Sequence, residues 1–170
     1  MAIVSKMTSA SFEDLKEKGN DAFRSKNYVK AIAHYTEAIQ VKQDEPVAYS
    51  NRAMCYILLE RYYEALEDCD KAIKYDSNHV KSYYRRATAL SKLSRFQRAR
   101  KDFTKVLELD PSNTNAKKEA DQIDKIIDSD TRVDLKAYPK PNHIQSDKSL
   151  RDIELLNRYS GTFLYDELNK

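Results

Sequence analysis

Displacing the 170-residue chain against itself by 34 positions brings Ala31, Ala65 and Ala99 into register, then Ala38, Ala72 and Val106, then Ile39, Ile73 and Leu107. The same shift aligns Tyr28, Tyr62 and Phe96, joins Tyr35, Cys69 and Phe103, and puts Gly19, Ala53 and Ala87 at one small-residue position. A period of this length marks supersecondary units that cannot bury an apolar face alone and do so by stacking, so the chain holds three copies of one unit. Within each copy, apolar residues recur at helical spacing in two runs broken by a short polar turn: Ser25-Lys26-Asn27, Glu60-Arg61 and Ser94-Arg95. The pattern predicts three helical hairpins, with first helices over residues 12–25, 46–59 and 80–93 and second helices over 28–42, 62–76 and 96–109. Small residues at the aligned glycine and alanine position let the two helices of a hairpin approach closely, while the aromatics fill the gap to the next hairpin.

Composition removes several classes of function. The two glycines, Gly19 and Gly161, cannot build the Gly-rich loops whose backbone amides cradle phosphates. With 34% charged residues and a mean hydropathy of -0.79, no uncharged apolar run has the length of a membrane span, and no membrane partner is expected. The opening MAIVSKMTSA lacks the apolar stretch of a secretory signal, which points to a cytoplasmic chain. Cys55 and Cys69 show no Cys-x-x-Cys spacing and have no histidine nearby, so they read as buried free thiols and not as zinc ligands. His34, His79 and His143 are far apart and belong to no hydrolytic or metal motif. No catalytic residue, metal or cofactor is assigned.

Beyond Asp110-Pro111, Ala116, Ala120, Ile123 and Ile127 lie three or four residues apart among charges, the pattern of a capping helix over Asn113 to Asp128. Composition then shifts: Asp128 to Lys170 carries seven basic and eight acidic residues and the run Tyr138-Pro139-Lys140-Pro141, so the chain's net charge of +3 divides into +4 before Asp128 and -1 from there on, and the positive charge belongs to the repeats. The sequence thus divides into a flexible N-terminus over 1–11, an all-α repeat domain with its cap over 12–128, and a largely extended tail over 129–170, expected as a monomer.

Leu15, Gly19, Ala31, Tyr35 and Ala38 in the first unit, Tyr56, Ala65 and Ala72 in the second, and Phe103 and Pro111 in the third match the tetratricopeptide pattern. The chain resembles that family over residues 12–110, with Leu15, Tyr49 and Tyr83 where its first-helix tryptophan is usual. The resemblance implies three hairpins coiled into a right-handed superhelix whose first helices line the concave side. Counted from Phe12, Pro46 and Val80, Lys81 holds repeat position 2, Lys16 position 5, Asn51 and Arg85 position 6 and Asn20 position 9, a spacing of three and four that places all five on one face. The groove they form is expected to be free of acidic neighbours, and a carboxylate would satisfy the five. In the contexts LKEKGN, YSNRA and KSYYRRA, the five are similar to the dicarboxylate clamp of chaperone-binding tetratricopeptide domains. That resemblance implies recognition of the C-terminal Glu-Glu-Val-Asp tails of heat-shock protein 90 and heat-shock protein 70. Lys16, Asn20 and Asn51 would hold the terminal carboxylate, and Lys81 and Arg85 the aspartate side chain. Phe23 and Met54, each three residues after a clamp asparagine, read equally as contacts for the peptide's apolar side chain and as helix–helix core.

His143, Ser146, Lys148, Leu150, Arg151 and Ile153 are similar to the segment that follows the second tetratricopeptide domain in the RNA polymerase II-associated protein 3 (Spaghetti) family. That similarity implies docking onto the CS domain of a PIH-domain protein, linking the chaperone to the Rvb helicases. Ser149, Asp152, Leu156 and Gly161 would instead suit a short capped helix, and an inert linker is the plain alternative. For the repeats, the competing readings are a scaffold for some other acidic C-terminal peptide and an RNA-binding array. Against RNA, most of the twelve tyrosines align with core positions and no nucleic-acid partner is expected.

Overall fold

The computed structural model describes residues 10–137, with side chains as far as Ser129, and every element among them is an α-helix. In chain order these are α1 (Phe12–Arg24), α2 (Tyr28–Val41), α3 (Pro46–Leu58), α4 (Tyr62–Tyr75), α5 (Val80–Lys92), α6 (Phe96–Leu109) and α7 (Thr114–Ala137). Consecutive helices pair as α1·α2, α3·α4 and α5·α6, α2 packs on α3 and α4 on α5, and α3 also touches α5. This is the tetratricopeptide superhelix, and the helix ends fall within one residue of the sequence expectation in all three hairpins. The described residues through Arg132 belong to one compact unit.

The turns explain the regular spacing. Each first helix closes through a residue in the left-handed region, Lys26, Glu60 or Ser94, with φ of 59°, 59° and 57°. The following amide then reaches back five residues, Asn27 to the Ala22 carbonyl, Arg61 to Tyr56 and Arg95 to Leu90, at 2.9, 2.8 and 2.8 Å. These bonds satisfy carbonyls that a helix end leaves orphaned. Ser11, placed in the N-terminal arm on sequence grounds, instead caps α1: its hydroxyl accepts from the Asp14 amide while the Asp14 carboxylate receives the Ser11 amide. Residues 1–9 lie outside the described residues.

The core runs as small clusters up the stack. Ala22, Ala31, Tyr35 and Cys55 join the first hairpin to the second, Ala53, Ala65, Cys69 and Ala89 join the second to the third, and Phe103 and Val106 bury Ala116 and Ile123 of α7. Gly19 permits the closest approach, since a Cβ there would stand 2.5 Å from the Tyr35 ring. Both cysteines are buried free thiols. Two struts recur with the repeat. Arg52 makes a paired bridge to Asp68 at 2.7 and 2.8 Å and donates to the Thr36 hydroxyl at 2.8 Å. Arg86 does the same to Asp102, both at 2.7 Å, and reaches Asp70 at 2.6 Å. The first hairpin holds Lys18 and His34 at the aligned positions, and the nearest carboxylate to His34, that of Glu37, is 3.6 Å from its Nδ1.

The cap forms as expected on Ala116, Ala120, Ile123 and Ile127, with Asn113 accepting from the Ala116 amide at 3.0 Å. Its end does not fall at Asp128. α7 continues to Ala137, so residues 129–137 are helical and not extended. The charge-rich composition suits a solvated helix as well as a linker, and the first breaking signal is Pro139, which disfavours helical geometry at the residue before it. The remainder of the expected tail, with His143, Ser146, Lys148, Leu150, Arg151 and Ile153, lies outside the described residues.

Candidate functional site

The first helices α1, α3 and α5 bring Asn20, Asn51 and Arg85 into one hydrogen-bonded chain. Arg85 Nη1 donates to the Ser50 hydroxyl at 2.6 Å and to Asn51 Oδ1 at 3.2 Å, and Asn51 Nδ2 donates in turn to Asn20 Oδ1 at 3.4 Å. Lys16 lies one turn before Asn20 on α1, over the Phe12 ring at 5.5 Å from its centroid, and Lys81 lies one turn before Arg85 on α5, exposed. Helical spacing therefore places Lys16 beside Asn20 and Lys81 beside Arg85 along the linked chain.

Among the described residues, the α5 side of the groove has cations without a paired carboxylate. Arg85 is half-buried, burial pushes its guanidinium below its ordinary range, and its partners are the neutral Ser50 and Asn51. Among the described residues no carboxylate pairs with Arg85 or Lys81, in contrast to Arg52 and Arg86 one residue further along each helix. A charged donor without a carboxylate is a seat for an anion, and charge-assisted bonds made there are about twice as strong as neutral ones.

The α1 side differs from the sequence expectation of a groove without acidic neighbours. Lys16 pairs with Glu13, and Asn20 Nδ2 donates to Glu17 Oε2 at 2.9 Å. Both carboxylates stand three residues before the group they engage, where a helix brings side chains together. Glu17 also receives Arg24 at 2.7 Å, and these bonds, Arg24 first and Asn20 second, hold its carboxyl below the usual range.

The two candidate apolar contacts separate. Phe23 packs against the Ala22, Ala31 and Tyr35 cluster with its ring tilted onto Tyr28 at 5.6 Å, a packing role within the first hairpin. Met54 instead lines a cavity of about 400 Å³ with Arg85, Ile57, Tyr84 and Thr88, and the charged Lys92 and Glu119 line it as well. Sequence reasoning missed Ser50, whose place beside Asn51 was its only signal, and the hydroxyl of Tyr35, which donates to Asn20 Oδ1 at 2.8 Å.

The repeats are similar to those of known proteins. Residues 4–87 match the family model described as serine/threonine-protein kinase BSK1-like TPR repeats, and residues 80–113 match the tetratricopeptide repeat model. Hsp70-Hsp90 organizing protein 3 of Arabidopsis thaliana is 50% identical over 56 residues, 33% of this chain and 10% of that protein. The chain thus spans about a tenth of the length of that relative. The first TPR domain of Spaghetti (RPAP3), solved with an HSP90 peptide, superposes with a TM-score of 0.68 at 35% identity, over 70% of this chain and 94% of that one. The second TPR domain of human RPAP3, solved with an HSP70 peptide, gives 0.63 at 36% identity, over 65% and 92%.

Proposed function

The chain belongs to the tetratricopeptide-repeat family, and on that premise we propose that it is a chaperone adaptor whose groove holds the C-terminal Glu-Glu-Val-Asp tail of heat-shock protein 90 or heat-shock protein 70. The observation that carries the reading is Arg85: a half-buried guanidinium with neutral hydrogen-bond partners, linked through Asn51 to Asn20, with Lys81 one turn before it on α5 and Lys16 one turn before Asn20 on α1. A chain ending in aspartate presents two carboxylates a few ångströms apart, which few other peptides offer. The terminal carboxylate would sit against Lys16, Asn20 and Asn51, and the aspartate side chain against Lys81 and Arg85. The asparagines donate without adding repulsion between cations. Met54 and its cavity would take an apolar side chain upstream.

The test is a titration of the full chain with a synthetic peptide ending Glu-Glu-Val-Asp, the same peptide as its C-terminal amide, and a short single-stranded RNA. The clamp binds the first alone. Lys16→Ala, Asn51→Ala or Lys81→Ala should each weaken binding by about 30-fold, since losing a charged or charge-facing partner costs about 2 kcal/mol. Their melting should stay that of the parent, and single variants that bind as tightly as the parent would remove the assignment.

The tail supplies the second half of the proposed adaptor: residues 138–156 bind the CS domain of a PIH-domain protein, with Leu150 and Ile153 anchored in its surface, connecting the chaperone to Rvb helicase assembly. The support is the sequence similarity of His143 to Ile153 together with the likeness of the repeats to RPAP3 domains. Because α7 runs to Ala137, the informative truncation is after that residue. It should spare peptide binding and abolish capture of the PIH protein; retention of that capture would reduce the tail to a linker.

A further inference from the structure

We propose that Tyr35 is a positioning residue for the groove: its hydroxyl pins the carbonyl end of the Asn20 amide, so that the donor end faces an incoming carboxylate. This rests on the clamp reading above and extends it to a residue outside the clamp.

A primary amide offers a donor at one end and an acceptor at the other. Rotated by half a turn, Asn20 would present an oxygen to a carboxylate and repel it, so the clamp needs this amide in one orientation. The structure supplies the constraint from below. Tyr35, on α2 and only 2% exposed, donates to Asn20 Oδ1 at 2.8 Å, and the same oxygen accepts Asn51 Nδ2 at 3.4 Å. With both acceptor sites of Oδ1 engaged, the NH2 group is the end left for a ligand. It already holds a carboxylate oxygen, that of Glu17, at 2.9 Å. Burial pushes the Tyr35 phenol up to about 12, so it remains a donor across the neutral range. Asn51 is oriented by the same logic, with Arg85 donating to its Oδ1. Each groove asparagine thus has its carbonyl fixed by a donor.

Comparison among the repeats separates this role from packing. At the position of Tyr35 the other units carry Cys69 and Phe103, and at the position of Asn20 they carry Met54 and Thr88. The hydroxyl occurs in the one unit with an asparagine at that first-helix position. Phe103, buried at 1% exposure, shows that a ring without a hydroxyl suits the site.

The test is Tyr35→Phe in the full chain, titrated at low ionic strength with a synthetic peptide ending Glu-Glu-Val-Asp and with its C-terminal amide. Wild type must first prefer the free acid; if it binds neither form, the clamp reading itself falls. Given that preference, the variant should bind the free acid about 10-fold more weakly, the loss expected for one buried hydrogen bond that orients a charged contact. The amide form should change little, narrowing the ratio between the two. In an Asn20→Ala background, Tyr35→Phe should have no further effect. An unchanged ratio, or an equal loss in both backgrounds, overturns the proposal, the second by assigning Tyr35 to packing alone. Should Tyr35→Phe fail to fold, the wild-type hydroxyl proton decides by NMR: a resonance protected from exchange is expected, and one in fast exchange with water overturns the proposal.

Discussion

Gly19→Ala sets two opposing effects against each other at one atom. In an exposed helix interior the change gains about 1 kcal/mol, because glycine gives up more backbone freedom than alanine on folding. At Gly19 the added Cβ would meet Cε1, Cδ1 and Cζ of Tyr35 at 2.5, 2.7 and 2.9 Å. Carbon atoms rest about 3.5 to 4.0 Å apart, so the ring or α1 must move by about 1 Å. Tyr35 is 2% exposed and enclosed by Ala22, Ala31 and Cys55, which leaves it no free direction. Overpacking of this kind costs about 1 to 3 kcal/mol, and three simultaneous contacts put this case at the upper end. The net expectation is a loss of about 2 kcal/mol, seen as a melting temperature about 6 °C lower by circular dichroism. Displacing the ring also withdraws its hydroxyl from Asn20, so affinity for the acidic peptide should fall with stability. A melting temperature above that of the parent would mean that propensity wins, and would refute the argument from close approach.

Asp68→Ala should cost about 3 kcal/mol in chemical denaturation, because it leaves the Arg52 guanidinium buried without its carboxylate, while Arg52→Met with Asp68→Leu should recover most of the loss. Glu13→Ala with Glu17→Ala should tighten binding of the acidic peptide by about 3-fold, since each exposed carboxylate engages a donor that the peptide would use; unchanged affinity in titration would show that neither carboxylate competes. Burial lowers His79 below its ordinary 6.5, so the unfolded chain binds that proton more readily and stability should fall as pH drops from about 6.5 through the lower folded value. His79→Asn should flatten that decline in melts between pH 7.5 and 5, and a decline of the same slope would assign it to other groups.

The hairpins were legible because two signals of different period agree: a 34-residue repeat fixes the unit, and helical spacing within it fixes two helices per unit. Repeat counting likewise puts Asn20, Asn51 and Arg85 along one face, and hydrogen bonds join these three. Contacts that pass between different repeat positions were not legible. The 34-residue shift does align Arg52 with Arg86 and Asp68 with Asp102, but charged residues on a helix read as solvated until the sixteen-residue separation is folded into a strut. Tyr35 aligned with Cys69 and Phe103 and so read as apolar filling, which hid the one polar atom that matters to Asn20. Glu13 and Glu17 stood in plain view at repeat positions 2 and 6 of the first unit, those of Lys81 and of Asn51 and Arg85; following only the basic and amide residues along the face overlooked them.

The strut missing from the first hairpin bears on how firmly the groove is held shut in time. A repeat array opens unit by unit, each held by its own contacts and those with its neighbours. The second and third hairpins each carry a buried arginine–aspartate pair, while the first has Lys18 and His34 in those places and yet supplies Lys16 and Asn20 to the site. Backbone amides of α1 and α2 should therefore exchange with solvent deuterium sooner than those of α3 to α6, and the apparent affinity for a ligand is diluted by the fraction of molecules caught open. An acidic peptide held by Lys16 and Asn20 would give the first hairpin contacts to its neighbours that the missing strut does not. Its arrival should slow exchange most in α1 and α2, so that the ligand completes the fold of the hairpin that helps to bind it.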